Sequence, residues 1–249
     1  MLEPVPIPEA VPRLRRVLPL ERLGAALEVL LCSGLPSQLG LIMVLRGFGL
    51  RMQTADGRLS PPFVFTVSLL DAVIVVGLVL FFLRAHRESA REVLFGPRRP
   101  LAEALLGIAL IPAIFVLVVF VLAILITTAP WLHNVARNPL EDMLRTRGDA
   151  LVFAAVVMIS GGVREEIQRG FVLHRFDRYL GGAPVGIVLY SAMFGLGHLD
   201  QGYDAAIATG LLGVVWGGIY LTRRSIVAPM VSHAGFNLAQ LLKYFVVAR

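Results

Sequence analysis

Seven apolar runs, each close to the length of a membrane crossing, dominate the sequence and limit what it can fold into. A bilayer core about 30 Å thick is spanned by roughly 20 mostly apolar residues in a helix. The runs are Gly24–Leu45, Phe63–Leu83, Leu105–Ala129, Ala150–Leu173, Ala183–Leu199, Ala205–Leu221 and Ile226–Val247. In lipid every backbone polar group needs an internal partner, so runs of this kind fold as helices. The expected fold class is all-α: a polytopic transmembrane helical bundle of about seven spans, with Val5–Leu20 as a candidate eighth, interfacial helix. The fifth and sixth runs are short and closely joined, which leaves room for one to tilt, break or re-enter. No internal repeat is visible. The chain divides into a basic, proline-containing N-terminal arm over residues 1–23 and a single transmembrane domain over residues 24–249.

Charge supports this reading. Only 16% of the residues are charged, against about 25% in soluble domains. The net charge is +6, but the arginines sit in short clusters between apolar runs, as membrane anchors do, so we expect no nucleic-acid partner. One set of clusters is Arg13, Arg15, Arg16 and Arg22; Arg84, Arg87, Arg91, Arg98 and Arg99; Arg175 and Arg178; and Arg223 and Arg224. With seven spans these share one side, which should be cytoplasmic. The expectation is a multi-pass protein of the cell inner (plasma) membrane, N-terminus inside and C-terminus outside. Cys32 is the single cysteine, so there is neither an internal disulfide nor a cysteine-based metal site.

Several side chains do not belong in lipid. A charge at the bilayer centre costs about 2.5–3.5 kcal/mol on insertion scales, so such residues turn inward and find partners. The fourth run contains Arg164, Glu165, Glu166 and Arg169. Glu165 and Glu166 lie four and three residues before Arg169, within helical pairing distance, so the arginine can hold one carboxylate and leave the other. The fifth run ends with Phe194 and His198 one turn apart, and the seventh carries His233 and Asn237 one turn apart. Alone, a helical histidine is more often a hydrogen-bonded packing residue, and a Glu–Arg pair is as often structural glue. Their joint occurrence in apolar segments makes them a functional-site hypothesis. Glu28, Gln38 and Asp71 lack such company and read as structural or partner-binding, and Glu103 as interfacial. Gly213 and Gly217, and glycines 161, 162, 195 and 197, read as helix-packing positions.

A glutamate and a histidine sharing one water form a general-base pair. A second histidine with an asparagine can donate hydrogen bonds to a tetrahedral oxyanion. The set is competent for peptide hydrolysis without a serine or cysteine nucleophile. Zinc at Glu165, His198 and His233 is the alternative use of the same ligands, since two histidines and a glutamate form a catalytic zinc set. No His-Glu-x-x-His or Gly-x-Ser-x-Gly motif is present, and no aspartate pair lies in adjacent spans.

At these residues the sequence resembles the CPBP family, the type II CAAX prenyl endopeptidases and their bacterial relatives. The resemblance covers about residues 150–242. It rests on Glu165-Glu166 with Arg169, Phe194-x-x-x-His198 and His233-x-x-x-Asn237. It implies an intramembrane glutamate-type endopeptidase acting on a membrane-associated peptide or protein, without a cofactor. By resemblance Glu165 and His198 activate water, His233 and Asn237 stabilise the oxyanion, and Glu166, Arg169 and Phe194 orient the site or substrate. The family pattern has three residues between the Glu pair and the Arg, where this chain has Ile167 and Gln168. Which glutamate is the base is therefore open, and a helical bulge is one way to absorb the shift. The departure motivates an alternative: a catalytically impaired scaffold or bacteriocin-immunity-type binding protein. A transporter using the same cluster ranks below both, because no paired repeat is seen. Oligomeric state and substrate identity are not legible.

Overall fold

The computed structural model describes residues 17–242 and 244, and among these it is helical with no strand. Most of the candidate interfacial helix and of the expected arm lies outside the described residues. In chain order the α-helices are α1 (Pro19–Leu31), α2 (Leu35–Gly47), α3 (Pro61–Ala85), α4 (Pro100–Thr128), α5 (Pro139–Asp142), α6 (Arg147–Val157), α7 (Glu165–Tyr179), α8 (Ala183–Leu196), α9 (Tyr203–Arg223) and α10 (Val227–Leu241). Arg91–Phe95 and Met158–Arg164 are π-helical.

Among the described residues α3, α4 and α9 are long and apolar enough to cross a membrane, and a fourth crossing results if the bent pair α1 and α2 is one span. The first expected run is thus not a straight helix. It breaks after Leu31 and turns by 42°. The chain supplies the reason locally: Gly34 adopts φ +83, a left-handed conformation that costs glycine little. Pro36 then falls in the first turn of α2, where no backbone donor is missed. The fourth expected run is likewise interrupted, by the π-helical turns between α6 and α7.

Proline also starts the long crossings. Pro61 opens α3 and Pro100 opens α4. Pro112 lies inside α4, where it removes one backbone bond.

Small residues set the packing. A Cβ on Gly107 of α4 would lie 2.8 Å from the Ala228 carbonyl of α10, so these helices meet backbone to backbone. Gly195 of α8 faces the Ala206 carbonyl and Gly210 of α9, and Gly213 faces Ser191. That is how small residues drive helix association without a hydrophobic difference from lipid. The packing role expected for Gly213 and Gly195 is what the structure shows.

Three apolar clusters follow. One joins Val79, Leu83, Phe171 and Ile226 at the arginine-rich end. Another joins Ile114, Phe194, Leu212, Trp216 and Phe236 behind the polar residues of interest. The third, with Met143, Phe153 and Leu241, closes the opposite end.

Candidate active site

The π-helical turns of Met158–Arg164 bring the chain against α10. A Cβ on Gly161 would lie 2.6 Å from Asn237 Nδ2, and one on Gly162 2.7 Å from the Ala234 Cβ. Two glycines therefore permit the approach, and a wide turn of this kind is a frequent functional-site feature. Regular helix resumes at Glu165.

Neighbours on a helix diverge by about 100°, so Glu165 and Glu166 cannot face the same way. Glu166 is buried, and its Oε1 accepts from Arg169 Nη1 and from His233 Nδ1, the latter at 2.8 Å. Glu165 lines the cavity, with Oε2 3.7 Å from His233 Nε2 and Oε1 3.8 Å from Arg164 Nη1. Arg169 thus takes one carboxylate and leaves the other to the cavity. Its own guanidinium carbon sits between 4.9 and 5.4 Å from the ring centres of Phe194, Tyr190 and Trp216. Aromatic faces attract a desolvated cation, which helps hold the buried arginine in place.

His198 follows the last turn of α8, in the connection to α9, and its Nδ1 lies 2.8 Å from the Phe194 carbonyl. A carbonyl only accepts, so Nδ1 carries hydrogen, and Nε2 is left as the ring's acceptor whenever the imidazole is neutral. The Phe194 ring stands edge-on at 5.0 Å. His233 has a different setting. Its Nδ1 is held by a carboxylate, and Trp216 stacks on its ring at 3.9 Å. Trp216 Nε1 donates to Ser232 Oγ at 3.1 Å, which fixes the indole plane.

A cavity of about 430 Å³ connects these groups. Glu165, Phe194, His198, His233 and Asn237 all line it, although they come from three separate sequence segments. Glu166 and Arg169 stand behind, touching the cavity groups through His233 and Phe194. Its wall is apolar, with Val64, Leu122, Phe153 and Phe236 among the lining residues. Its rim is polar. There His133 Nδ1 meets Asp204 Oδ2 at 2.7 Å, Asn138 donates to Gln201 at 3.1 Å, and Asn134 accepts from the Tyr203 amide at 2.8 Å. The described lining holds Glu141, Glu165 and Asp204 but no arginine or lysine. Among the described residues no group of three or more His, Cys, Asp or Glu is arranged to hold a metal ion.

Residues set aside in the sequence prove to have partners. Asp71 is buried against Arg164 at 2.5 Å, with Gln38 donating to it at 3.2 Å. Glu28 binds Arg175 and His86 at 2.6 Å each. Glu103, in the first turn of α4, is buried and paired with Arg223 at 2.6 Å. Trp216 and Tyr190 were not foreseen, because aromatic residues in an apolar run carry no mark of what they stack on.

Residues 147–239 match the family model described as type II CAAX prenyl endopeptidase Rce1-like. No curated protein and no solved structure matches the chain. Every residue of the three motifs falls within the matched segment, whereas Gln38 and Asp71 fall outside it.

Proposed function

Over residues 147–239 the chain belongs to the type II CAAX prenyl endopeptidase Rce1-like family, and from that premise we propose an intramembrane glutamate-type endopeptidase that cleaves a membrane-associated peptide or protein. The family is one of proteases, and the observation that carries the finer reading is the shared cavity of Glu165, His198, His233 and Asn237.

In this reading a water sits between Glu165 and His198. Glu165, the carboxylate that faces the cavity, takes its proton, while the lone pair on His198 Nε2 orients it. The hydroxide attacks the peptide carbonyl carbon. The oxyanion so formed accepts hydrogen bonds from His233 Nε2–H and the Asn237 amide, each such donor being worth about 2.7–4 kcal/mol. His233 carries protons on both nitrogens at this stage, its charge balanced by Glu166 and by the Trp216 face. Glu165 then passes its proton to the leaving amine, and the C–N bond breaks. The site is written without a metal; retention of activity in chelator, without restoration by zinc, is the expected result.

The same reading includes seven crossings, α6 to α7 and α8 among them, in a cell inner membrane, N-terminus inside. The cavity then opens at the end of the bundle with fewer arginines, where α3, α6 and α9 begin and α4 and α10 finish. Substrate reaches it from the outer leaflet side. The impaired-scaffold reading rests on the shortened spacing, with only Ile167 and Gln168 between the glutamate pair and Arg169; Arg164 standing 3.8 Å from Glu165 adds to it.

A substrate trap tests the proposal. Glu165→Gln, crosslinked in native membranes, should retain a membrane-associated protein that the wild-type chain cleaves after co-reconstitution. Retained cleavage in Glu165→Ala, His198→Ala and His233→Ala together would refute the assigned site.

A further inference from the structure

The elbow between α1 and α2 faces the candidate base. A Cβ on Gly34 would overlap Arg164 Nη2, so the arginine reaches into the space that the glycine leaves. There Nη2 donates to Asp71 Oδ2 at 2.5 Å. Asp71 is 1% exposed; Ser37 Oγ donates to its Oδ1, and Gln38 Nε2 donates to Oδ2 at 3.2 Å. On its other side Arg164 Nη1 stands 3.8 Å from Glu165 Oε1. One buried arginine therefore lies between two carboxylates, in contact with one and loosely placed against the other.

We propose that Asp71, held by Ser37 and Gln38, is a positioning residue that keeps Arg164 away from Glu165, so that Glu165 stays available to the cavity. The inference rests on Glu165 being the cavity base. Its physics is a competition. A buried guanidinium needs a counter-charge, and removing that partner is strongly destabilising. Coulomb attraction falls with distance, so the contact at 2.5 Å outweighs the one at 3.8 Å. Without the Asp71 charge, the nearest carboxylate left to Arg164 is Glu165. A paired Glu165 gives its oxygens to the guanidinium and not to a water. The break in the first apolar run then has a purpose. It lets Gly34, Ser37, Gln38 and Asp71, none of them in the family-matched segment, act on the site through Arg164.

The test compares the full chain, reconstituted in liposomes, as wild type, Asp71→Asn, Asp71→Asn with Arg164→Gln, and Ser37→Ala. The first readout is the rate of modification of Glu165 by dicyclohexylcarbodiimide, followed by mass spectrometry, which needs no substrate. Asp71→Asn should slow it about tenfold as Arg164 engages Glu165. The double variant, which has no arginine to turn, should return it close to the wild-type rate. Ser37→Ala loosens Asp71 without removing its charge and should slow labelling about twofold. The second readout is cleavage of quenched-fluorescence peptides that the wild type accepts. There Asp71→Asn should lower kcat about tenfold with little change in KM, and the double variant should recover it. A purely structural tie between α3 and the π-helical turn predicts no rescue. Unchanged labelling in Asp71→Asn, or a double variant as slow as the single one, overturns the proposal. Should Asp71→Asn fail to fold, unchanged labelling in Ser37→Ala overturns it instead. Labelling reads the positioning and wild-type cleavage reads the proteolysis, so failure of either is distinguishable from failure of the other.

Discussion

Trp216 lies flat against His233, ring centres 3.9 Å apart and planes inclined by 19°. The indole is buried and its Nε1–H is tied to Ser232, so it cannot rotate away without losing that bond. An aromatic face stabilises a cation by about 0.5–2 kcal/mol, more when desolvated. In the proposed mechanism it therefore helps His233 at the step where the ring faces the oxyanion as a cation. Trp216→Leu should lower kcat about tenfold with little effect on KM, whereas Trp216→Phe, which keeps a ring there, should lose about threefold or less. Steady-state cleavage of a reconstituted peptide substrate measures both.

The two adjacent glutamates should separate by phenotype. Glu165 lines the cavity, while Glu166 is buried and shared by Arg169 and His233. Glu165→Gln should abolish cleavage and leave the melting temperature nearly unchanged. Glu166→Gln leaves the fully buried Arg169 without its counter-charge, a loss of about 3–5 kcal/mol. It should lower the melting temperature in detergent by roughly 5–15 °C. Equal melting behaviour of the two variants would contradict the division of labour.

The bundle and the site were legible in the sequence to different depths. The long crossings were visible because apolar length is a local signal: Phe63–Leu83 falls within α3, and Leu105–Ala129 corresponds to α4, which starts five residues earlier at Pro100. The pairing of Arg169 with one glutamate was also visible, since helical spacing alone brings them together. The elbow at Gly34 was not. Hydropathy averages over a single glycine, and the side chain that fills the space Gly34 leaves, Arg164, lies more than a hundred residues away. Asp71 was read as structural or partner-binding, but which residue it pairs with was not legible, because Arg164 lies in another helical segment. The π-helical turns were anticipated only as one way to absorb a spacing shift. They are set by the contact of Gly161 and Gly162 with α10, a tertiary matter.

The charge of the cavity lining predicts a substrate preference. Its described lining holds three carboxylates, Glu141, Glu165 and Asp204, and no arginine or lysine. Low-dielectric walls focus such a field. A substrate segment carrying lysine or arginine near the scissile bond should therefore be cleaved with a kcat/KM roughly tenfold above that of its aspartate or glutamate counterpart, the difference shrinking with added salt. A free C-terminal carboxylate finds no arginine or lysine in that described lining either, so amidating a peptide's C-terminus should not reduce its cleavage. Matched fluorogenic peptides assayed at low and high ionic strength decide both points, and a preference for acidic flanks would reverse the reading.

At the arginine-rich end, away from the cavity, Glu88 anchors the last turns of α7. Its carboxylate accepts from Arg175 at 2.5 Å, Arg178 at 2.7 Å and His174 at 3.1 Å. Burial pushes its carboxyl up, but the hydrogen bonds from His174 and Arg175 and their charges outweigh it, holding the group at about 2 against an ordinary 4.5. The depressed value fixes the sign. Above pH 4.5 the group is ionised in folded and unfolded chain alike, and its contribution is complete. Between 4.5 and about 2 only the unfolded chain takes up the proton, so stability falls as the pH drops through that window. The melting temperature in detergent, followed by tryptophan fluorescence, should hold steady down to about pH 5 as far as this group is concerned, and then decline. Glu88→Gln should start lower, because Arg175 and Arg178 lose a partner, and should show a shallower decline. A variant that tracks the wild-type slope across the whole acid range would remove Glu88 from the account of how α7 is held.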